Sequence, residues 1–300
     1  MNRFHRLPDS LKGIAYLMLA SIALSLMAVL IKILGQRLHV TQILLLRQLG
    51  MTVMVLPVIL RHFPGSLRSQ RPGLQITRIV FAIVAMIGGF TAIIHMPLAD
   101  ATAIFFAKSF FVTIFAMLFL GEKVGIYRWS AVVVGFVGVL IMLQPGTTNF
   151  SIYGLASLAG AAGAGAVMAI LRILSRSDSA DTILSWSAIG VGLVMTLPGI
   201  YFWQWPNGEE WALLCGLAVT SYFGQKGNIY AYKHGEASLL ASLDYTRLLW
   251  ATLLGFLVFG HNPGAPTWIG ASIVIGAAVF TVYRAARLNR GSAVPTDIEN

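Results

Sequence analysis

Charge is scarce in this chain: only 11% of its 300 residues are Asp, Glu, Lys or Arg, against about 25% in soluble globular proteins. With 57% apolar residues beside it, that shortage excludes a water-soluble domain. Cysteine is scarcer still. Cys215 is the single one, so the chain forms no internal disulfide and no thiolate metal cluster. Energising and catalytic motifs are missing as well. No G-x-x-x-x-G-K-[ST] cradles a nucleotide, no H-E-x-x-H binds zinc, and no paired aspartates hold Mg²⁺. No cofactor is expected, and an intramembrane enzyme is the weaker alternative class.

What is present is apolar sequence in long runs. Uninterrupted stretches lie at about 13–34, 41–60, 76–96, 98–120, 126–143, 152–174, 182–203, 211–232, 237–259 and 266–283, each near the ~20 residues that cross a bilayer. Lipid leaves free backbone groups unsatisfied, and no period-two alternation points to a barrel, so these ten runs predict transmembrane helices. The expected fold is all-α, a single polytopic domain over 1–300. The first run is too long for a signal peptide and ends in no A-x-A site.

The net charge of +10 offers no basic face for nucleic acid, because the excess is dispersed among the connections. With the amino terminus in the cytoplasm, 14 of 21 Lys and Arg fall on that side, only Arg37 falls opposite, and six lie within spans. The positive-inside rule therefore predicts both termini in the cytoplasm, with the chain in the cell's inner membrane.

A shift of 141 lays Gly13 on Gly154, Met27–Leu30 on Met168–Leu171, Thr41 on Thr182, and Leu56–Pro57 on Leu197–Pro198. Repeat one is expected at about 13–143 and repeat two at about 152–284, followed by a cytoplasmic tail at 285–300. Five spans per half is an odd number, so the halves are inverted relative to each other, with substrate expected at mid-bilayer between them.

Ten spans in a five-plus-five duplication, FLGE ending the fourth (Phe119–Glu122), a Trp-led fifth (Trp129) and GEAS opening the ninth resemble the drug/metabolite transporter superfamily in its EamA-type branch. Within that branch the chain looks most like the YddG-type amino-acid exporters. The resemblance implies a secondary transporter exporting small metabolites by alternating access. Amino acids, aromatic or apolar ones included, are the expected cargo, and nucleotide-linked sugars or other organic anions the alternative.

A charge at mid-bilayer needs a partner, a wet cavity or a route to the surface. Lys32 and Arg78 lie near span ends and are expected to snorkel. Lys108 and Arg247 sit at the centres of the fourth and ninth spans, on corresponding positions counted back from FLGE and VFGH. Asp244, three residues before Arg247, is the only deep acid and the expected intrahelical partner of Arg247. That leaves Lys108 for a carboxylate-bearing substrate. The candidate binding set is Lys108, Arg247 and Asp244 with Tyr222, Phe81, Phe90 and Phe105 as aromatic walls. Arg47, Lys226 and His95 are gate or coupling candidates. Asp100 and Glu236 are expected to cap the starts of spans four and nine. Ala131 with Gly135 and Ser272 with Gly276 read as small-residue packing pairs, as does the Gly/Ala-dense sixth span.

Overall fold

The computed structural model describes residues 9–61, 67–120, 126–144, 151–174, 177–234 and 244–291. Among them lie eleven helical segments: α1 (Asp9–Leu34), α2 (Val40–Arg61), α3 (Pro72–His95), α4 (Leu98–Phe105), α5 (Lys108–Leu120), α6 (Ile126–Leu143), α7 (Ile152–Leu174), α8 (Ala180–Tyr201), α9 (Gly208–His234), α10 (Thr246–Phe259) and α11 (Ala265–Gly291). Segments α4 and α5 share one apolar span, Leu98–Leu118, so the chain makes ten crossings. Six stretches are long and apolar enough by length and composition to cross a membrane. The fold is all-α, polytopic and built for a bilayer. Glu236 with its GEAS segment, and Gly121–Glu122 of FLGE, lie outside the described residues.

Boundaries follow local chemistry. Proline at the first position starts α3 at Pro72, four residues before the apolar run, because proline lacks only an amide that helix starts leave unbonded. The Ser179 hydroxyl caps α8 by accepting from the Thr182 amide at 3.1 Å. Helix α11 continues to Gly291, so the expected tail begins as helix.

The helices pack in matched pairs: α1 on α9, α3 on α7, α2 on α8 and α6 on α11. Where side chains are removed, backbones meet. On α7, a Cβ at Gly160 would stand 2.8 Å from the Gly89 nitrogen, and one at Gly163 2.7 Å from the Phe81 oxygen. The small-residue density of this span is thus used against α3. The α6–α11 contact differs from expectation. It closes on Gly138 and Gly270, a Cβ at Gly138 lying 2.8 Å from the Gly270 oxygen, while Gly135 makes room for the Phe110 ring and Gly276 faces open space.

Polar contacts fasten α8 and its flanking segments to the first half of the chain at three levels. At one end the Arg37 guanidinium pairs with Glu210 (Nε to Oε1 2.6 Å), and Gln42 Nε2 donates to the Gln204 carbonyl at 2.6 Å. In mid-span Gln48 Nε2 donates to the carbonyls of Ser187 and Ala188, both at 3.1 Å. At the other end Asp178 accepts from the Ser69 hydroxyl, the Gln70 amide at 2.9 Å and Gln75 Nε2 at 2.8 Å. Burial pushes the Asp178 carboxyl up, but these donors outweigh it and hold it below the ordinary range. Glu210 is also held low, chiefly by the hydrogen bond from Arg37.

The α3–α7 seam makes a direct prediction. Gly160→Leu should drive a side chain into the α3 backbone and cost about 1 to 3 kcal/mol, whereas Gly276→Leu should stay within about 0.5 kcal/mol of the parent. Melting in detergent compares the two, and equal melting temperatures would show that the seam is loosely packed.

Candidate substrate site between two interrupted helices

The fourth span does not run straight through. Helix α4 ends at Phe105, Phe106 and Ala107 form a turn, and α5 starts at Lys108. The ladder tightens there to i→i+3 bonds: the Ala107 amide donates to Ile104 at 3.0 Å and the Ser109 amide to Phe106 at 3.2 Å. The ninth span has a matching interruption. Asp244 is helical, Tyr245 is a turn, and the Leu248 amide donates to the Tyr245 carbonyl at 3.0 Å. Phe106 and Tyr245 occupy corresponding places, and their rings lie 4.9 Å apart.

Asp244 is bound across this junction by Lys108. Nζ stands 3.3 Å from Oδ2, with both side chains about one-fifth exposed. This corrects the intrahelical pairing expected between Asp244 and Arg247. Spacing of three residues brings two side chains together only on a continuous helix, and the Tyr245 turn interrupts it. Lys108 is therefore engaged, and its ammonium also lies 5.6 Å from the Phe106 ring centre. Arg247 makes no hydrogen bond among the described residues and feels Asp244 only through its charge, without direct contact.

Arg247 instead lines a cavity of about 140 Å³ with Met27, Met86, Phe90, Phe105 and Phe106. Three of the expected binding residues, Arg247, Phe90 and Phe105, thus share one chamber beside the Lys108–Asp244 pair. Phe81 does not reach it. That ring packs near Phe115, at 6.0 Å, and against the Ile170–Leu174–Ile183 cluster. Tyr222 is also elsewhere, its hydroxyl accepting from Lys226 Nζ at 3.2 Å on the same helix. Sequence reasoning passed over Met27, Met86 and Phe106, since on spans that are apolar all round no pattern marks an inward face.

The remaining charges find other solutions. Lys32 does not snorkel. It is 5% exposed and donates to the carbonyls of Ile93, Ile94 and Met96 (3.2, 3.3 and 2.6 Å), capping the end of α3. Arg78 is likewise buried and donates to the Ile183 carbonyl at 2.8 Å. Asp100 accepts from the Thr267 hydroxyl at 2.7 Å, joining α4 to α11. His95 is exposed, bonds the Thr91 carbonyl through Nδ1 at 2.9 Å, and stacks on Tyr153 at 4.1 Å. Arg47 is the exception. It is 4% exposed, donates to the Ser221 hydroxyl at 2.9 Å and to Gln48, and faces no carboxylate among the described residues.

Paired helices around two facing interrupted spans, with charge at the breaks, form the architecture of a secondary transporter. The profile of the EamA-like transporter family matches the chain twice, over residues 11–144 and 151–283, and the chain belongs to that family. It is 30% identical over 220 residues to a riboflavin transporter of Vibrio cholerae, covering 72% of this chain and 73% of that one. It is 28% identical over 273 residues to an S-adenosylmethionine uptake transporter of Rickettsia felis (91% and 93% covered). A third relative is the pseudopaline exporter CntI of Pseudomonas aeruginosa, 27% identical over 274 residues, with 90% and 96% covered. A solved crystal structure shares the fold with a TM-score of 0.62 at 18% identity, covering 93% of this chain and 98% of the other. The protein is a transporter and not an enzyme.

The ion pair can be tested by a double-mutant cycle. Asp244→Asn alone should cost about 3 kcal/mol, because it leaves the Lys108 ammonium uncompensated. Adding Lys108→Met should recover most of that loss. Additive losses in detergent unfolding would mean that the two groups do not interact.

Proposed function

We propose that this protein carries a small organic anion with a flat or apolar body across the inner membrane, and that Arg247 holds the anionic group. The observation that carries this reading is the guanidinium of Arg247, without a hydrogen bond among the described residues, in an aromatic and methionine-lined cavity. Arginine presents a planar fork of donors suited to carboxylate or carbonyl oxygens, and the Phe and Met side chains receive the apolar body. About 150 Å³ of apolar cavity accepts a benzene-sized ring, and this chamber is close to that at about 140 Å³.

The relatives' names span riboflavin, S-adenosylmethionine and pseudopaline, and include both an uptake and an export protein. Kinship therefore supports a small polar metabolite without selecting the substrate or the direction. Export of aromatic amino acids is the narrower reading, and the ring-sized cavity favours it. Its weakness is chemical: the ammonium of an amino acid needs a carboxylate, and Asp244 is held by Lys108. An anion without an ammonium needs only the Arg247 cation.

The test is transport into vesicles containing purified protein, with aromatic carboxylates, aromatic amino acids, riboflavin and nucleotide-linked sugars supplied in parallel. Arg247→Gln should reduce transport of the accepted substrate at least tenfold, and parental rates in that variant would remove Arg247 from the site. Preference for the amino acid over its deaminated analogue would establish the narrower reading.

Orientation is part of the proposal. Arg37 and Glu210 meet at one end of the bundle and Ser69 and Asp178 at the other, and the Lys and Arg excess in the connections at the second end supports placing that end in the cytoplasm. Both termini lie in the cytoplasm. With Cys215 replaced by Ser, a single cysteine placed in the 144–151 connection should react with an impermeant reagent from outside intact cells, and labelling only after lysis would reverse the topology.

A further inference from the structure

Four charged side chains surround the interrupted spans: Arg47, Lys108 and Arg247 against Asp244, three cations to one carboxylate. Other spans settle their charges locally, Lys32 and Arg78 on backbone carbonyls. Lys108 and Asp244 cancel each other. Two guanidiniums remain, and they flank the same cavity. Arg247 lines it directly. Arg47 stands behind the part of its wall that Met86 and Phe90 form, with Nη1 4.0 Å from the Met86 sulfur and the guanidinium carbon 5.7 Å from the Phe90 ring centre. Both Met86 and Phe90 line the chamber.

Arg47 is also incompletely used. Of its five N–H donors, Nε serves Ser221 and Nη1 serves Gln48 and Met86. Nη2 makes no hydrogen bond among the described residues. An arginine 4% exposed, with no counterion among the described residues and two donors spare, is costly as a purely structural element. The methionine in front of it has three rotatable side-chain bonds and moves aside more readily than a branched or aromatic group.

We propose that Arg47 is a second substrate-anchoring residue and that the site takes an organic dianion, one anionic group on Arg247 and the other on Arg47 once Met86 swings away. This rests on the reading of Arg247 as an anion anchor and adds the charge and valence of the cargo. A dianion brings the four-residue cluster to neutrality, where a monoanion leaves one buried positive charge. The flat body of such a substrate lies between Phe90 and Phe105, with its charged ends toward α2 and α10. The empty site retains two uncompensated cations, so the dianion adds stability to the folded protein by mass action as it binds.

The experiment is isothermal calorimetry on purified full-length protein with two probes of one skeleton, benzoate and benzene-1,4-dicarboxylate. The parent should bind the dicarboxylate at least tenfold tighter. In Arg47→Gln that ratio should fall to twofold or less, and in Arg47→Lys, which keeps the charge but loses the fork, it should be intermediate. Arg247→Gln should weaken both probes. Melting temperature of the Arg47 variants, taken with and without dicarboxylate, supplies a second reading: the ligand-induced rise should shrink in Arg47→Gln. A purely structural Arg47 would weaken both probes alike with the ratio kept, and that result overturns the inference. A parental ratio near one also overturns it, while Arg247-dependent benzoate binding leaves the proposed function standing. No binding of either probe by the parent overturns both.

Discussion

The junction of Lys108 with Asp244 is the interaction on which the arrangement of the core depends. A lone ammonium in hydrocarbon is expensive, and so is a lone carboxylate. Each is contributed by a different interrupted span, so neither is satisfied until the two halves of the chain are together. The interruptions and the pair are one device. Turns at Phe106–Ala107 and Tyr245 bring the rings of Phe106 and Tyr245 into contact beside the charges. They also keep Asp244 and Arg247 out of direct contact, and the Arg247 guanidinium lines a cavity instead.

Elsewhere the protein treats buried polarity as a fastening problem. Lys32 draws together three carbonyls where α3 ends, Arg78 takes the Ile183 carbonyl, and Gln48 bridges two carbonyls of α8. These side chains join one repeat-sized segment to the other or lock one end of a helix. They explain why charge inside a span does not by itself mark a site. What separates Arg247 and Arg47 from them is an incomplete set of partners at a shared cavity wall.

The spans were legible because hydrocarbon imposes a length and a composition that soluble sequences seldom satisfy. The mid-bilayer depth of Lys108 and Arg247 was legible from the same count. The interruption at Phe106 was not: AIFFAKSF contains neither proline nor glycine, and its hydropathy carries straight through. Tertiary contacts with the second half make that turn, and they have no local signature. The error over Asp244 followed from the matching interruption at Tyr245, since i, i+3 spacing presumes an unbroken helix. Phe81 and Tyr222 were misplaced for another reason. A membrane helix is apolar toward lipid and toward protein alike, so an aromatic residue carries no mark of the side on which it lies. Glycine was more informative on α7, where density implied close approach, than on α6 and α11, where Gly138 and Gly270 rather than the expected pairs make the contact.

The pairing of helices sets a timetable for assembly. The partner of α3 is α7, complete at residue 174, but α1 packs on α9, which ends at residue 234. At about 5 to 20 residues per second, the 200 residues between Leu34 and His234 hold α1 waiting for roughly 10 to 40 s. Lys32 shortens its exposure, because the α3 carbonyls that receive it emerge within the first 96 residues. An early hold on the Lys32 end of α1 keeps that helix in place while its long flank is still covered only by lipid. The membrane is thus both the solvent of the finished protein and the stand-in for its last helices.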